Sequence, residues 1–223
     1  MSGYILVMIV GIAISGIAAI WVRTSYSRYS KKRSTSGLVG AQVARVILDR
    51  NGLTNVRVEP VPGQLTDHYD PRTKAVRLSE GNFKESSIAA VSVAAHECGH
   101  AIQDGSGYLP MKLRAGLFPM VAISSQLWMP VFIVGIFVGA PLFVQLAAIL
   151  FAAVLAFHIV TLPVEIDASR RAYGILTRYG ILSRDEADGT KRVLTAAAFT
   201  YIAAALTAFL TFLYLLFLSQ SSE

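Results

Sequence analysis

At 223 residues, 54% hydrophobic and only 15% charged, the chain is too apolar for an ordinary soluble domain. The net charge is +6 and the pI is near 9.6, yet the basic residues flank long apolar runs, which argues against a nucleic-acid surface and for membrane orientation and contact with anionic lipids. The one cysteine, Cys98, excludes an internal disulfide.

The first apolar run extends from about Tyr4 to Val22. At ~1.5 Å per residue it is long enough to cross ~30 Å of hydrocarbon. No Lys or Arg precedes it, and Arg23, Arg28, Lys31, Lys32 and Arg33 follow it, so it reads as a retained anchor rather than a cleaved signal. A first polar segment, 23–116, comes next. Ser36 is expected to cap a helix running to about Arg50, with Val39, Val43, Val46 and Ile47 on one face and Gly52 as its stop. Val56 and Val58, then Val76 and Leu78, alternate with polar residues and predict two short strands. Between them lies the turn-rich Asp67-His68-Tyr69-Asp70-Pro71. Asn82 and Glu85 match a capping box for a helix ending near Gly105, whose apolar stretch from Ile88 to Ala95 is too short to span.

Spans two and three are predicted at 117–138 and 142–162, joined by a tight turn at Gly139, Ala140 and Pro141. A second polar segment, 163–193, opens with Pro163, which suits a first helical turn or a kink. Its helix is expected to end at Gly180, with a further capping box at Ser183 and Glu186. The fourth span, from about Leu194 to Leu218, and a short tail complete the chain. All 20 Lys and Arg fall in 23–116 and 163–193. The positive-inside bias therefore predicts a multi-pass cell-membrane protein with both long segments in the cytoplasm and both termini outside.

The sharpest chemical signal is His96-Glu97-Cys98-Gly99-His100, on the helix that ends near Gly105. Two imidazoles at i and i+4 share a helical face, about 5–6 Å apart, and can reach one Zn²⁺ at about 2.0–2.1 Å. Glu97 stands at the flank of that ion. There it can take a proton from water whose pKa the metal lowers to about 7, and deliver it to the leaving amine. The plainer alternative is two surface histidines without a metal. It is disfavoured because unpartnered polar groups would be costly beside an apolar run on a capped helix.

Zinc needs a third protein ligand and an open fourth position. The candidates are Glu165, Asp167, His158 and His68. Glu165 follows Pro163 at the membrane boundary, where a carboxylate is expensive unless paired or metal-bound, so ligation is preferred to a salt bridge with Arg170 or Arg171. Asp167 can pair with Arg171 at i+4 or accept a hydrogen bond from a ligand imidazole. His158 lies two turns before Glu165 inside a span, where a neutral histidine bonded to a neighbouring helix is the plainer reading. His68 and Tyr69 are candidate transition-state donors, against a plain turn role. Cys98 reads as a small packing residue and Gly99 as a point of close helix approach.

His96 to Asp104, with Asp67-His68-Tyr69-Asp70-Pro71, Val76-Arg77-Leu78-Ser79 and Pro163-Val164-Glu165-Ile166-Asp167-Ala168-Ser169-Arg170-Arg171-Ala172, resembles the YugP-type neutral zinc metallopeptidases of bacteria over nearly the whole chain. The resemblance implies Zn²⁺ held by His96, His100 and Glu165, with Glu97 as base. The chain is also similar to CAAX-prenyl-protease and HtpX-type membrane peptidases, which carry an aspartate four residues after the ligand glutamate. Here that position is Ser169, so the supporting role of Asp167 is left open.

The predicted architecture is thus mainly α: a four-span helical membrane protein with a small cytoplasmic β element and a zincin-like metal helix, divided as 1–22, 23–116, 117–162, 163–193 and 194–223. The expected activity is hydrolysis of peptides or membrane proteins at the cytoplasmic membrane surface, by an endopeptidase rather than an exopeptidase. The alternative from another class is a membrane scaffold or chaperone-like partner protein with a structural zinc. A protease with zinc inside the bilayer and a transporter are disfavoured by the charged flanks of the metal helix and the scarcity of intramembrane charge. Gly139 and the Ala-rich fourth span leave room for a homo-oligomer or a membrane partner.

Overall fold

The computed structural model describes residues 2–220. The first residue and the tail beyond Gln220, which the sequence reading places outside the cell, lie outside the described residues. The chain is mainly helical, with seven helices and three strands among the described residues. Helices α1 (Ser2–Ser30), α5 (Leu109–Val138), α6 (Pro141–Arg178) and α7 (Arg184–Gln220) are each long and apolar enough to cross a membrane. These are the four spans expected from the hydropathy. All four run well past the apolar stretch. Pro163 neither opens nor ends a helix but lies inside α6, so the third span and the segment carrying Glu165 are one element.

The chain divides into two compact units. The first draws on residues 1–19, 110–163 and 200–223. Its core gathers Phe132, Val144, Ala147, Ala148, Phe151, Leu155, Ala208 and Leu215 from α5, α6 and α7. The turn between α5 and α6 works because Gly139 adopts φ +66, open to glycine at no steric cost.

The second unit comprises residues 20–109 and 164–199. Its α2 (Gly40–Arg50) buries Val43, Ala44, Ile47 and Leu48. This helix starts later than Ser36 predicts, because Gly37 turns the chain at φ +68. Val39 is the cap position, and its N–H donates to the Gln42 side chain at 3.1 Å. Strands β1 (Arg57–Val61), β2 (His68–Asp70) and β3 (Ala75–Ser79) form a sheet in the order β1-β3-β2, with β1 parallel and β2 antiparallel to β3. The middle strand is the buried one, at Ala75, Val76, Leu78 and Ser79. The alternating pattern predicted only two strands. The third sits in the turn-rich stretch, ended by Asp70, whose carboxylate accepts from the backbone N–H of Arg72 at 2.9 Å.

The expected capping box at Asn82 and Glu85 does not form. Instead a short helix, α3 (Glu80–Lys84), is followed by extended backbone at Glu85, and α4 (Ile88–Gly105) starts afresh with Ser87 as cap, its side chain accepting from the Ala90 N–H. Asn82 is taken up elsewhere: its amide donates to Asp67 at 2.9 Å and its oxygen accepts from the Tyr26 hydroxyl at 2.8 Å. At the start of α7 the box forms on one side, the Glu186 carboxylate accepting from the Ser183 N–H. The same carboxylate also accepts from the Thr35 N–H and hydroxyl, which fastens α7 to the chain just after α1.

Candidate metal centre

The histidine pair sits near the middle of α4, and the spacing read from sequence is realised: the two rings lie with centroids 4.8 Å apart and planes at 84°. What brings a third group to them is the contact of α4 with α6. A Cβ on Gly99 would come within 2.7 Å of the Ala168 carbonyl oxygen, so the helices meet where only glycine fits. The contacts order themselves oppositely along the two helices: Gln103 with Val164 and Asp167, Gly99 with Ala168, His96 with Ser169. Glu165, one turn before Ala168, is thereby brought against both imidazoles.

The Glu165 Oε2 lies 3.4 Å from His96 Nε2 and 3.5 Å from His100 Nε2. A tetrahedral ion with bonds of about 2.0–2.1 Å separates its ligand atoms by about 3.4 Å. The two carboxylate-to-imidazole distances match that separation, the ligand atoms of the three residues all lie within 4.8 Å of one another, and two imidazoles with one carboxylate is a donor set zinc takes. The Glu165 side chain is only 2% exposed. A carboxylate buried that deeply needs compensating positive charge.

The far nitrogens of both rings are also held. His100 Nδ1 is 3.0 Å from Gln103 Oε1, and His96 Nδ1 is 3.2 Å from Ser169 Oγ. An amide oxygen can only accept, so His100 carries its proton on Nδ1 and leaves the Nε2 lone pair for a metal. Gln103 is wholly buried and its NH₂ is spent as well, on the Val164 carbonyl at 2.8 Å and on Asp167 at 2.9 Å. Asp167 in turn pairs with Arg171, whose guanidinium lies over the Tyr108 ring. Of the two roles left open, Asp167 takes the ion pair; it accepts from no ligand imidazole and reaches His100 only through Gln103.

Burial pushes the Glu97 carboxyl above the usual range, the His96 and His100 imidazoles pulling the other way. For His100, burial alone would lower the pKa, but the contacts with Glu165 and Glu97 outweigh it and leave it raised. The carboxylates thus draw positive charge to this point. Cys98 is buried, its thiol pushed up by burial and directed at the Ala44 carbonyl, which makes it a packing group.

The other sequence candidates lie elsewhere. His68 is exposed on β2, with Nδ1 2.8 Å from the Thr66 carbonyl. The Tyr69 hydroxyl donates to Asp104 at 2.6 Å, tying β2 to the last turn of α4. His158 belongs to the first unit, where it lines a cavity of about 480 Å³ with Trp128, Phe151 and Thr207. None of the three is among the residues grouped with His96. Two supporting residues escaped the sequence reading. Gln103 had a signal, since it continues the 96, 99, 100 face at i+7. Ser169 carries no such signal, since in sequence it shows only as a departure from a related pattern.

The sequence profile of the family described as "Putative neutral zinc metallopeptidase" matches residues 4–220. Among curated proteins, "Putative membrane protease YugP" of Bacillus subtilis (strain 168) is 44% identical over 203 residues, 91% of this chain and 90% of that protein. No solved structure matches the chain.

Proposed function

The chain belongs to the family described as "Putative neutral zinc metallopeptidase", and from that premise we propose that it hydrolyses peptide bonds at a zinc site formed by His96, His100 and Glu165, with Glu97 as the general base. The observation that carries this reading is the approach of one buried carboxylate oxygen to both imidazoles, at 3.4 and 3.5 Å, the separations that ligands of a tetrahedral zinc ion would have. When bound, zinc supplies the Lewis acidity that activates water and polarises a peptide carbonyl. The chain's own residues do the rest. Glu97, one residue beyond His96 on α4, takes the proton of the attacking water and passes it to the leaving amine. Its pKa, raised by burial, makes it a stronger proton acceptor than an exposed glutamate. Gln103 fixes the tautomer of His100, and Ser169 orients His96.

The site belongs to the unit that contains the sheet, and an extended substrate strand added to an edge of that sheet would be held by main-chain hydrogen bonds. Such a mode suits an endopeptidase. If replacing alternate residues of β1 and β2 left turnover unchanged, this mode of binding would be ruled out. The charge asymmetry supports a cytoplasmic site at the membrane surface.

The test is zinc content and peptide cleavage, measured together on detergent-purified protein. Wild type is expected to carry about one zinc and to cut, Glu165→Ala to lose the metal, and Glu97→Gln to keep the metal without cutting. A wild type that binds zinc yet cuts nothing across a broad peptide library would favour a scaffold with a structural zinc. A wild type without metal would overturn the site.

A further inference from the structure

A second cavity in the sheet-bearing unit lies between α6 and α7, with a volume of about 380 Å³. Ile166, Ser169, Arg170 and Tyr173 line it from α6, and Lys191, Leu194, Thr195 and Ala198 from α7. Both sets are spaced i, i+3, i+4, i+7, a single face of each helix. The helices are joined through the turn at Gly180, so Arg170, Tyr173 and Lys191 lie towards the turn, while Ile166 and Ala198 lie towards the apolar runs. The groove therefore has a cationic end and an apolar end.

Two further observations bear on its occupant. Arg170 and Lys191 are exposed and, among the described residues, neither is in an ion pair. Next to Ala198, Phe199 packs edge-on against Trp21 at 5.2 Å. Trp21 lies at the end of the first apolar run, one residue short of Val22 and two before Arg23. A tryptophan followed by a basic cluster marks the headgroup level of a bilayer.

We infer that this groove holds an anionic phospholipid, its phosphate between Arg170 and Lys191 and one acyl chain along Ile166, Leu194 and Ala198. An arginine fork and an ammonium are the donors a phosphate takes, and the hydroxyls of Tyr173 and Thr195 add two more. The order of charge to oil and the pairing of an arginine with a lysine at one end fit a lipid. An extended acidic peptide would have no use for an apolar end that continues into the span. Ser169 lines the groove and also holds His96, so a seated lipid touches the side chain that orients a candidate zinc ligand.

The lipid site does not depend on the peptidase reading, and its test needs no turnover. Full-length protein in neutral detergent is mixed with phosphatidylglycerol or phosphatidylcholine of matched chains, and retained lipid is counted by native mass spectrometry. Wild type should retain about one phosphatidylglycerol in preference to phosphatidylcholine. The double variant Arg170→Ala/Lys191→Ala should lose that retention by about tenfold or more. Ala198→Phe, which fills the apolar end and keeps both charges, should lose it too. Arg192→Ala, an exposed cation outside the groove, should not. Equal retention of both lipids, an unaffected Ala198→Phe, or an Arg192→Ala loss matching the double variant would overturn the site. So would displacement by inorganic phosphate or an acidic peptide as readily as by the lipid.

Discussion

The α carbon of Gly99 stands so near the Ala168 carbonyl that a methyl group there would sit 2.7 Å from its oxygen. The obstacle is helix backbone, which cannot rotate aside. Gly99→Ala must therefore push α6 away from α4. The expected cost is about 1–3 kcal/mol of stability. Because Glu165 rides on α6 one turn away, zinc content should fall with it. Thermal unfolding and metal analysis of the variant check both.

Glu97→Gln should lower the rate of peptide cleavage by about 10²–10⁴-fold while leaving zinc content unchanged. The same substitution should raise the stability of the metal-free protein. The folded-state pKa of Glu97 is raised by burial, so its contribution to stability is fully present below the ordinary glutamate pKa and is lost as pH rises through the raised value. Metal-free wild type should accordingly lose stability as pH rises from the ordinary glutamate range through that raised value, and glutamine should remove that part of the dependence. A pH series of melting temperatures on both proteins gives the answer.

Gln103→Ala should weaken zinc binding by about 10–100-fold, since it frees the His100 tautomer and leaves the Val164 contact unmade. Ser169→Ala should act in the same direction through His96, and less, because a hydroxyl at 3.2 Å holds its ring less firmly. Asp167→Ala acts through Gln103, so its effect should largely vanish in a Gln103→Ala background. Competition with a chromogenic chelator measures each affinity.

Tyr69→Phe separates two roles for that hydroxyl. Its bond to Asp104 predicts a loss of about 1 kcal/mol of stability, with peptide turnover at saturating substrate within about tenfold of wild type. A fall in kcat of a hundredfold or more, with stability unchanged, would return Tyr69 to the reaction as a transition-state donor.

The orientation is open to a direct check. Alkaline phosphatase fused after Gln220 should be active, and the same reporter inserted at Gly63, on the exposed connection between β1 and β2, should be silent. The opposite pattern would move the metal centre to the outer face.

Much of this protein is local in origin, and that part was legible. Membrane spans are a matter of composition over about 20 residues, so four apolar helices followed from hydropathy alone. The His96 and His100 pair is equally local, because helical periodicity puts i and i+4 on one face whatever the rest of the chain does. Signals that depend on a competing partner misled. Asn82 has the residue type of a helix cap, but Asp67 and Tyr26 claim its side chain, and Ser87 caps α4 instead. The strand at His68 to Asp70 is too short to show alternation and exists because β3 offers it an edge.

What only the tertiary structure decided is the meeting of Glu165 with the two imidazoles across 65 residues of chain (165 − 100). Sequence named Glu165 among four candidates but had no means of ranking them by distance. That choice is made by the antiparallel contact of α4 with α6 at Gly99, and by Gln103, which joins His100, Val164 and Asp167 through one buried amide. Periodicity fixes which residues share a helical face. Which faces meet depends on where a missing side chain lets two backbones close, and that is a property of the packed pair.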